Sequence, residues 1–363
     1  MIKYLGSKRV LLPRIVAAVR ALDEISTVVD LFSGTSRVGH ALKSAGYRVL
    51  ANDHNAYAST LARCYVQADA EDVLRDTTRL VAELARLPGR PGYFTDAFCV
   101  RSRFFQPKNG ARVDAIREAI AKKSLPPELE SVLLVSLMEA ADRVDSTTGV
   151  QMAYLKQWAA RAHRDLELRV PAVLPRARHG KGAAVELDAI EAARELEGDL
   201  VYLDPPYNQH RYLANYHVWE TLVRWDQPAL YGVACKREDC RTRASDFNSR
   251  RRIGDAIRAV IRSARARHLL VSQSDEGFVE PEQMQAWLAE RGHVTSFEID
   301  FKRYVGAQIG IFDPRGRKVG SVSHLRNKEY LYLVSPEPLD PVRLERAVEA
   351  APQLPLWPPP GSP

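Results

Sequence analysis

Leu200-Val201-Tyr202-Leu203-Asp204-Pro205-Pro206-Tyr207 is an apolar run that stops at an acid, two prolines and a ring. The first four residues read as a buried strand. The prolines end it, because each fixes φ and neither carries an amide hydrogen. A turn this stiff can hold a carboxylate, an outward-facing carbonyl and an aromatic ring at one small site. Those groups suit an exocyclic amine on a flat base: Asp204 and the Pro205 carbonyl accept its two N–H bonds, Pro206 stiffens the turn, and Tyr207 stacks on the ring. A β-bend with a structural aspartate, and a Tyr207 that merely packs on the sheet edge, are the competing readings of the same four residues.

Working outward, other short apolar runs fall at 27–32, 47–52, 268–272, 294–299 and 329–334. Most are separated by helical patterns. Residues 7–22 carry Val10, Leu11, Ile15, Ala18, Val19 and Leu22 at helical spacing, and 36–45 and 55–68 follow strands directly. Such alternation predicts an α/β fold, a doubly wound Rossmann-like sheet, mostly parallel, with helices on both faces. The last two strands lack a clear helix between them and are expected to pair antiparallel at one edge. The spacing breaks once. A doubly wound sheet reaches its fourth strand after roughly 70 to 90 residues, at ~30 per βαβ unit, yet Asp204 lies far beyond that distance from Asp30. About a hundred residues are therefore inserted. The expected organisation is 1–69, a cofactor-binding part; 70–182, a helical inserted domain; 183–334, a catalytic part with a basic loop at 208–252; and 335–363, a proline-rich tail, partly helical and then disordered.

Composition narrows the class. The chain has 363 residues, 45% of them hydrophobic, and a formal charge of +7, with pI near 9.2. No apolar run approaches the ~20 residues of a membrane span, and the first residues are not a signal peptide, so a cytoplasmic protein is expected. Cys64, Cys99, Cys235 and Cys240 have no metal spacing, and no metal is expected. Residues 241–267 hold Arg241, Arg243, Arg250, Arg251, Arg252 and four more arginines against two acids, Asp246 and Asp255. This reads as a footprint for a polyanion or as a solvated helix face.

The second signal is Asp30-Leu31-Phe32-Ser33-Gly34-Thr35-Ser36-Arg37-Val38-Gly39, a strand running through a small-residue turn into a helix. Gly34 lets a ligand approach the backbone, and helix N-terminal amides can receive an anion. The turn lacks the glycine pattern of a pyrophosphate site. A carboxylate-bearing ligand fits better, and the methionine part of S-adenosylmethionine matches, its ammonium needing an acid nearby. Asp30, Phe32, Ser33 and Gly34 are the candidate contacts. Asp53 at the end of the second strand is placed for ribose hydroxyls, with Asn55 as a neighbour, or for capping the next helix. Asp188 could bond an adenine amine or cap the helix after it.

Taken together these segments resemble the D12 class of adenine-specific DNA methyltransferases, the group that includes the bacterial DNA adenine methylases, in its alpha-type motif order. The likeness runs through Lys3–Lys8, Asp30–Gly39, Asn52-Asp53, Asp204–Tyr207, Val271–Gly277 and Asn327–Leu331. It implies that Tyr4 and Lys8 contact the cofactor, Asp53 its ribose, and Asp204 both the cofactor region and the target amine. It implies a target-recognition domain where the long insertion falls. Lys8 also stands at the start of a helix, where its charge opposes the dipole, and is free to serve a ligand carboxylate.

The expected activity is transfer of a methyl group from S-adenosylmethionine to adenine N6 in double-stranded DNA, with base flipping, by the modification enzyme of a restriction system. A cognate endonuclease would act separately. Lys3, Arg241, Arg243, Arg250, Arg251, Arg252, Lys302 and Arg303 are the candidate DNA contacts. A monomer associated with the nucleoid through its DNA binding is expected. The alternatives are methylation of cytosine N4 on DNA or of adenine in RNA. A nicotinamide-dependent enzyme would want a glycine-rich turn that is missing, and a non-catalytic DNA-binding module would not need the Asp-Pro-Pro-Tyr corner.

Overall fold

The computed structural model describes residues 1–6, 8–302, 311–312, 318–320 and 326–350, with backbone alone at 300–302, 311–312, 318–320 and 326–327. Its centre is a seven-stranded sheet: β1 (Thr27–Asp30), β2 (Arg48–Asn52), β3 (Ala183–Val185), β4 (Leu200–Leu203), β5 (His268–Ser274), β6 (His293–Lys302) and β7 (Arg326–Ser335), in the order β3-β2-β1-β4-β5-β7-β6. β1 runs parallel to β2 and β4, and β4 parallel to β5. β7 is antiparallel to both β5 and β6. The fold is the expected doubly wound, mostly parallel one, and the last two strands do pair antiparallel. β3 is an addition. It is three small, half-buried residues paired to β2, too short to leave a pattern.

Alternate strand residues feed two cores, so both faces are buried and the strands read as continuous apolar runs. Val28, Val49, Leu200, Tyr202, Leu270 and Leu331 pack with Ile15 and Val19 of α1 (Leu12–Arg20), Leu42 of α2 (Arg37–Ser44) and Leu344 of the C-terminal helix Pro341–Glu349. Val29, Leu31, Val201, Leu203, Val271 and Tyr332 face Ala192 of α7 (Ala189–Glu195), Ile257 and Val260 of the helix Ile253–Ser263, and Leu288 of the helix Pro281–Ala289.

A third core lies beside the sheet. Val73, Leu80 and Leu84 of α4 (Ala70–Ala85), Val113 and Ile116 of α5 (Pro107–Lys122), and Val132 to Ala141 of α6 (Pro127–Asp142) build it. Tyr57 and Leu61 of α3 (Ala56–Ala62) enter it from the sheet side, and Trp219 and Leu222 enter from α8 (His217–Arg224). Residues 208–252 are therefore not simply the loop expected for them. They contain α8, whose apolar face completes the helical core, and a buried Arg237 paired with Asp226 (2.7 Å) and Asp239 (3.0 Å). Among the described residues no helix is long and apolar enough to cross a membrane. The tail beyond 350 lies outside them.

Candidate active site

The main cleft opens at the carboxyl ends of β1 and β4, where the chain leaves the sheet in opposite directions, the usual ligand crevice of such sheets. It encloses about 1050 Å³ of space, open solvent included. Tyr4, Lys8, Asp30, Phe32, Ser33, Gly34, Asp53, Asn55, Asp188, Asp204 and Pro206 all line it, so segments from across the chain converge on one place.

The first wall is the turn after β1. Gly34 (φ 49°) and Ser36 (φ 59°) both take left-handed backbone, folding the chain tightly before α2. A side chain on Gly39 would lie 2.8 Å from Val66 Cγ2 and 3.2 Å from Asp30 Oδ2, so only glycine lets its N–H donate to Asp30 at 3.1 Å. Asp53 holds the turn from the next strand. It accepts from the Gly34 N–H (3.0 Å), the Asn55 N–H (3.0 Å) and the Asn55 side-chain amide (3.2 Å). Asp188 accepts from the Ile190 N–H (2.9 Å), capping its helix, and also faces the cleft. Phe32 meets Phe247 edge-on, centroids 5.1 Å apart.

Several buried polar atoms near this wall have no partner: Asp30 Oδ1, Ser33 Oγ, Ser36 Oγ and Asn55 Oδ1. Buried polar atoms are normally paired, and Asp30, Ser33 and Asn55 also line the cleft, which marks a place for a polar ligand. Burial and the nearby Asp204 push the Asp30 carboxyl up to about 7, against the Gly39 hydrogen bond that pulls it down.

The second wall is the corner after β4. Leu203 pairs with Val271, so Asp204 lies beside Ser272 of β5. Ser272 Oγ donates to Asp204 Oδ1 (3.0 Å) and itself bonds the Tyr202 hydroxyl (2.8 Å). Lys8 Nζ is 3.1 Å from Asp204 Oδ1 and 3.2 Å from Glu329 Oε2. It also sits 5.7 Å from the centre of the Tyr207 ring. Burial disfavours the Lys8 charge, yet Asp204 and Glu329 outweigh it and hold the ammonium well above its ordinary value. Burial raises the carboxyls of Asp204 and Glu329, and the shared Lys8 opposes the rise. Pro206 lines the cleft, whereas Pro205 lines a smaller apolar cavity with Phe32, Leu203 and Val271. The Phe278 N–H donates to the Tyr207 carbonyl (2.8 Å), pinning that residue's backbone.

Sequence profiles identify what this arrangement belongs to. The profile of the D12 class N6 adenine-specific DNA methyltransferases matches residues 4–286. The chain belongs to this family. It is thus an adenine-N6-specific DNA methyltransferase, and the cytosine-N4 and RNA readings are not favoured. Type II methyltransferase M.NlaIII of Neisseria lactamica is 28% identical over 312 residues, 84% of this chain and 88% of that one. Type II methyltransferase M.FokI of Planomicrobium okeanokoites is 29% identical, over 82% of this chain and 48% of its own length. Modification methylase StsI of Streptococcus sanguinis is 29% identical, over 85% and 49%. The chain thus spans about half the length of the last two.

Several sequence-based assignments change. Lys8 was expected to serve a ligand carboxylate; its ammonium is instead committed to Asp204 and Glu329. Lys3 was grouped with the DNA contacts, but its Nζ is 2.7 Å from Asp145 Oδ1 and donates to the Asp142 carbonyl (2.7 Å), tying the N-terminus to the helical core. Arg243 faces the cleft rather than open solvent. Arg241 lies over the Tyr231 ring (3.8 Å) and pairs with Glu238, and Arg252 pairs with Asp246. Arg250 and Arg251 are exposed. The Lys302 side chain and Arg303 lie outside the described residues. Glu329, Ser272, Tyr212 and Phe247 were not singled out. The first two sit in the resemblance segments and could have been found there; Tyr212, which lines the cleft and stacks on Tyr4 (centroids 5.2 Å apart), and Phe247 carry no motif.

Proposed function

We propose that the enzyme uses S-adenosylmethionine to methylate N6 of an adenine turned out of duplex DNA, as the modification enzyme of a restriction system. The observation that carries this reading is the half-buried Asp204, held by Lys8 and Ser272 and opening on the same cleft as the unpaired atoms around Asp30.

The residues present suit that cofactor. Asp30 and the Ser33–Ser36 turn offer an acid, hydroxyls and backbone amides for an amino-acid group, Asp53 offers a carboxylate for ribose hydroxyls, and Phe32 with Asp188 offers an apolar face and an acceptor for a purine. When bound, the cofactor supplies a sulfonium methyl group open to in-line attack. The protein's part is to make a poor nucleophile better. The N6 lone pair is delocalised into the purine ring; Asp204 and the Pro205 carbonyl would accept hydrogen bonds from its two N–H groups and favour a tetrahedral nitrogen, and the one proton that N6 loses on methylation would pass by way of Asp204 to solvent. Positioning and electrostatics account for most of such a gain. Lys8 holds the Asp204 carboxylate in one orientation while its charge keeps the ionised form available. Tyr207 would stack on the extruded adenine, since the amine is out of reach inside a duplex.

The helical region 70–182 is proposed to read the target sequence, and the exposed Arg250 and Arg251 to meet phosphates. The names of the relatives, Type II methyltransferases and a modification methylase, favour the modification role; a monomer in the cytoplasm, with a separate endonuclease, is the form that fits this proposal. Expression in a methylation-free host followed by mapping of modified bases tests the proposal. N6-methyladenine at one short sequence supports it; unmodified DNA, or methyl groups scattered without a sequence, contradicts it.

A further inference from the structure

The sequence groups Arg243 with neighbouring arginines as a phosphate contact, but its surroundings give it other work. Its Nη1 lies 3.1 Å from Glu220 Oε1, and its Nη2 donates to the His54 carbonyl at 2.7 Å. Glu220 is fully buried on α8. Its other oxygen accepts the Tyr57 N–H (3.0 Å), one of the first-turn amides of α3 that the helix itself cannot satisfy. Arg243 thus joins α8, the start of α3 and the residue directly after Asp53.

The chain beyond Arg243 then crosses the cleft. Ser245, Phe247 and Asn248 line it, and Phe247 packs edge-on against Phe32. Asn248 Nδ2 donates to the carbonyls of Asn208 (2.9 Å) and His210 (3.1 Å), in the loop leaving the Asp-Pro-Pro-Tyr corner. Residues 243–248 therefore form a strap anchored beside Asp53 at one end and beside the corner at the other.

We infer that Arg243 is a positioning residue for the methyl donor, acting through His54 and the strap to set the ribose side of the cleft, and is not a DNA-phosphate contact. The inference rests on reading this cleft as the S-adenosylmethionine site. The side chain is only 26% exposed; Glu220 is also paired with Arg224 (2.7 Å), so the hold on Arg243 is shared between that carboxylate and the His54 carbonyl, and a phosphate could recruit it only by breaking both contacts.

The test compares wild type with Arg243→Ala, Arg243→Lys and Asn248→Ala. S-adenosylmethionine binding is measured by calorimetry, duplex binding over a salt series, and folding by thermal melting. Losing hydrogen bonds from a charged donor predicts roughly 10- to 100-fold weaker cofactor binding for Arg243→Ala. KM for the cofactor should rise more than kcat falls. Arg243→Lys should recover part of the affinity, Asn248→Ala should weaken it less, and the salt slope of DNA binding should not change. Should Arg243→Ala not fold, Arg243→Lys decides by the same readings. Unaltered cofactor affinity with a salt slope reduced by about one overturns the inference. A wild-type protein that takes up no S-adenosylmethionine overturns the cofactor reading and this inference together; wild-type uptake with an unaffected Arg243→Ala overturns the inference alone.

Discussion

Lys8 Nζ lies 3.1 Å from Asp204, and Arg258 Nη2 lies 3.1 Å from Glu290. The contacts match in length and differ in everything else. The Lys8 side chain is 6% exposed and is shared by two carboxylates, beside the ring of Tyr207. The Arg258 side chain is 37% exposed on an outer helix. Water screens the second pair to about 0–1 kcal/mol. In the first, removing one partner strands charge in the interior at a cost of about 3–5 kcal/mol. Ion pairs in the catalytic corner set geometry, whereas those on the arginine-rich surface can be exchanged for phosphates at little cost.

The comparison can be broken at several points. The largest effect is expected at Asp204 itself. Asp204→Ala should lower labelled-methyl transfer by roughly 10³-fold while cofactor binding stays partly intact, and normal turnover would refute the catalytic assignment. Next comes Lys8→Met, which leaves Asp204 and Glu329 facing each other in a buried site. Transfer should fall by about 100-fold and the melting temperature should drop, in line with the loss of a buried partner. The double variant with Glu329→Gln should regain much of the stability. A Lys8→Met protein as stable and active as wild type would remove the distinction between the two regions.

A smaller effect is expected at Asp30. Its carboxyl is raised to about 7 by burial, so between the ordinary carboxylate range and pH 7 the folded state holds a proton that the unfolded state has released. The group's contribution to stability is complete at acid pH and fades as pH rises towards 7. An ammonium bound beside it favours the ionised form, so cofactor affinity should strengthen as pH rises through about 7. Asp30→Asn should weaken binding by about tenfold and erase that pH dependence; calorimetry across the range checks both, and a retained slope would contradict the assignment. The smallest effects concern the surface. Arg251→Ala should reduce the salt slope of DNA binding by about one, while Arg258→Ala should change folding stability by less than about 1 kcal/mol.

How much of this was legible follows from distance along the chain. Six of the seven strands of the sheet are legible because both sheet faces are buried and their apolar runs are continuous; the three-residue β3 is not. The cleft was read because each wall is local: Asp30–Gly39 is one turn, and Asp204–Tyr207 another. The pairing of the corner was not readable, since Lys8 and Glu329 stand 321 residues apart and nothing in either segment names the other. The arginine stretch misled for the same reason. Of the acids that pair with it, only Asp246 lies within the stretch; Glu238, Glu220, Glu290, Glu197 and Glu24 lie outside it, so a count of the acids inside overstated the free charge. Helix α8 was missed because a catalytic corner suggests a loop to follow, whereas Trp219 and Leu222 supply the apolar face that the helical core lacks.

The most direct test gives purified enzyme a methyl-labelled S-adenosylmethionine and a duplex carrying many sequences, then digests the DNA to nucleosides and separates them. The label should appear as N6-methyldeoxyadenosine with wild-type protein and vanish with Asp204→Ala. Label on cytosine, or equal label from both proteins, would contradict the account.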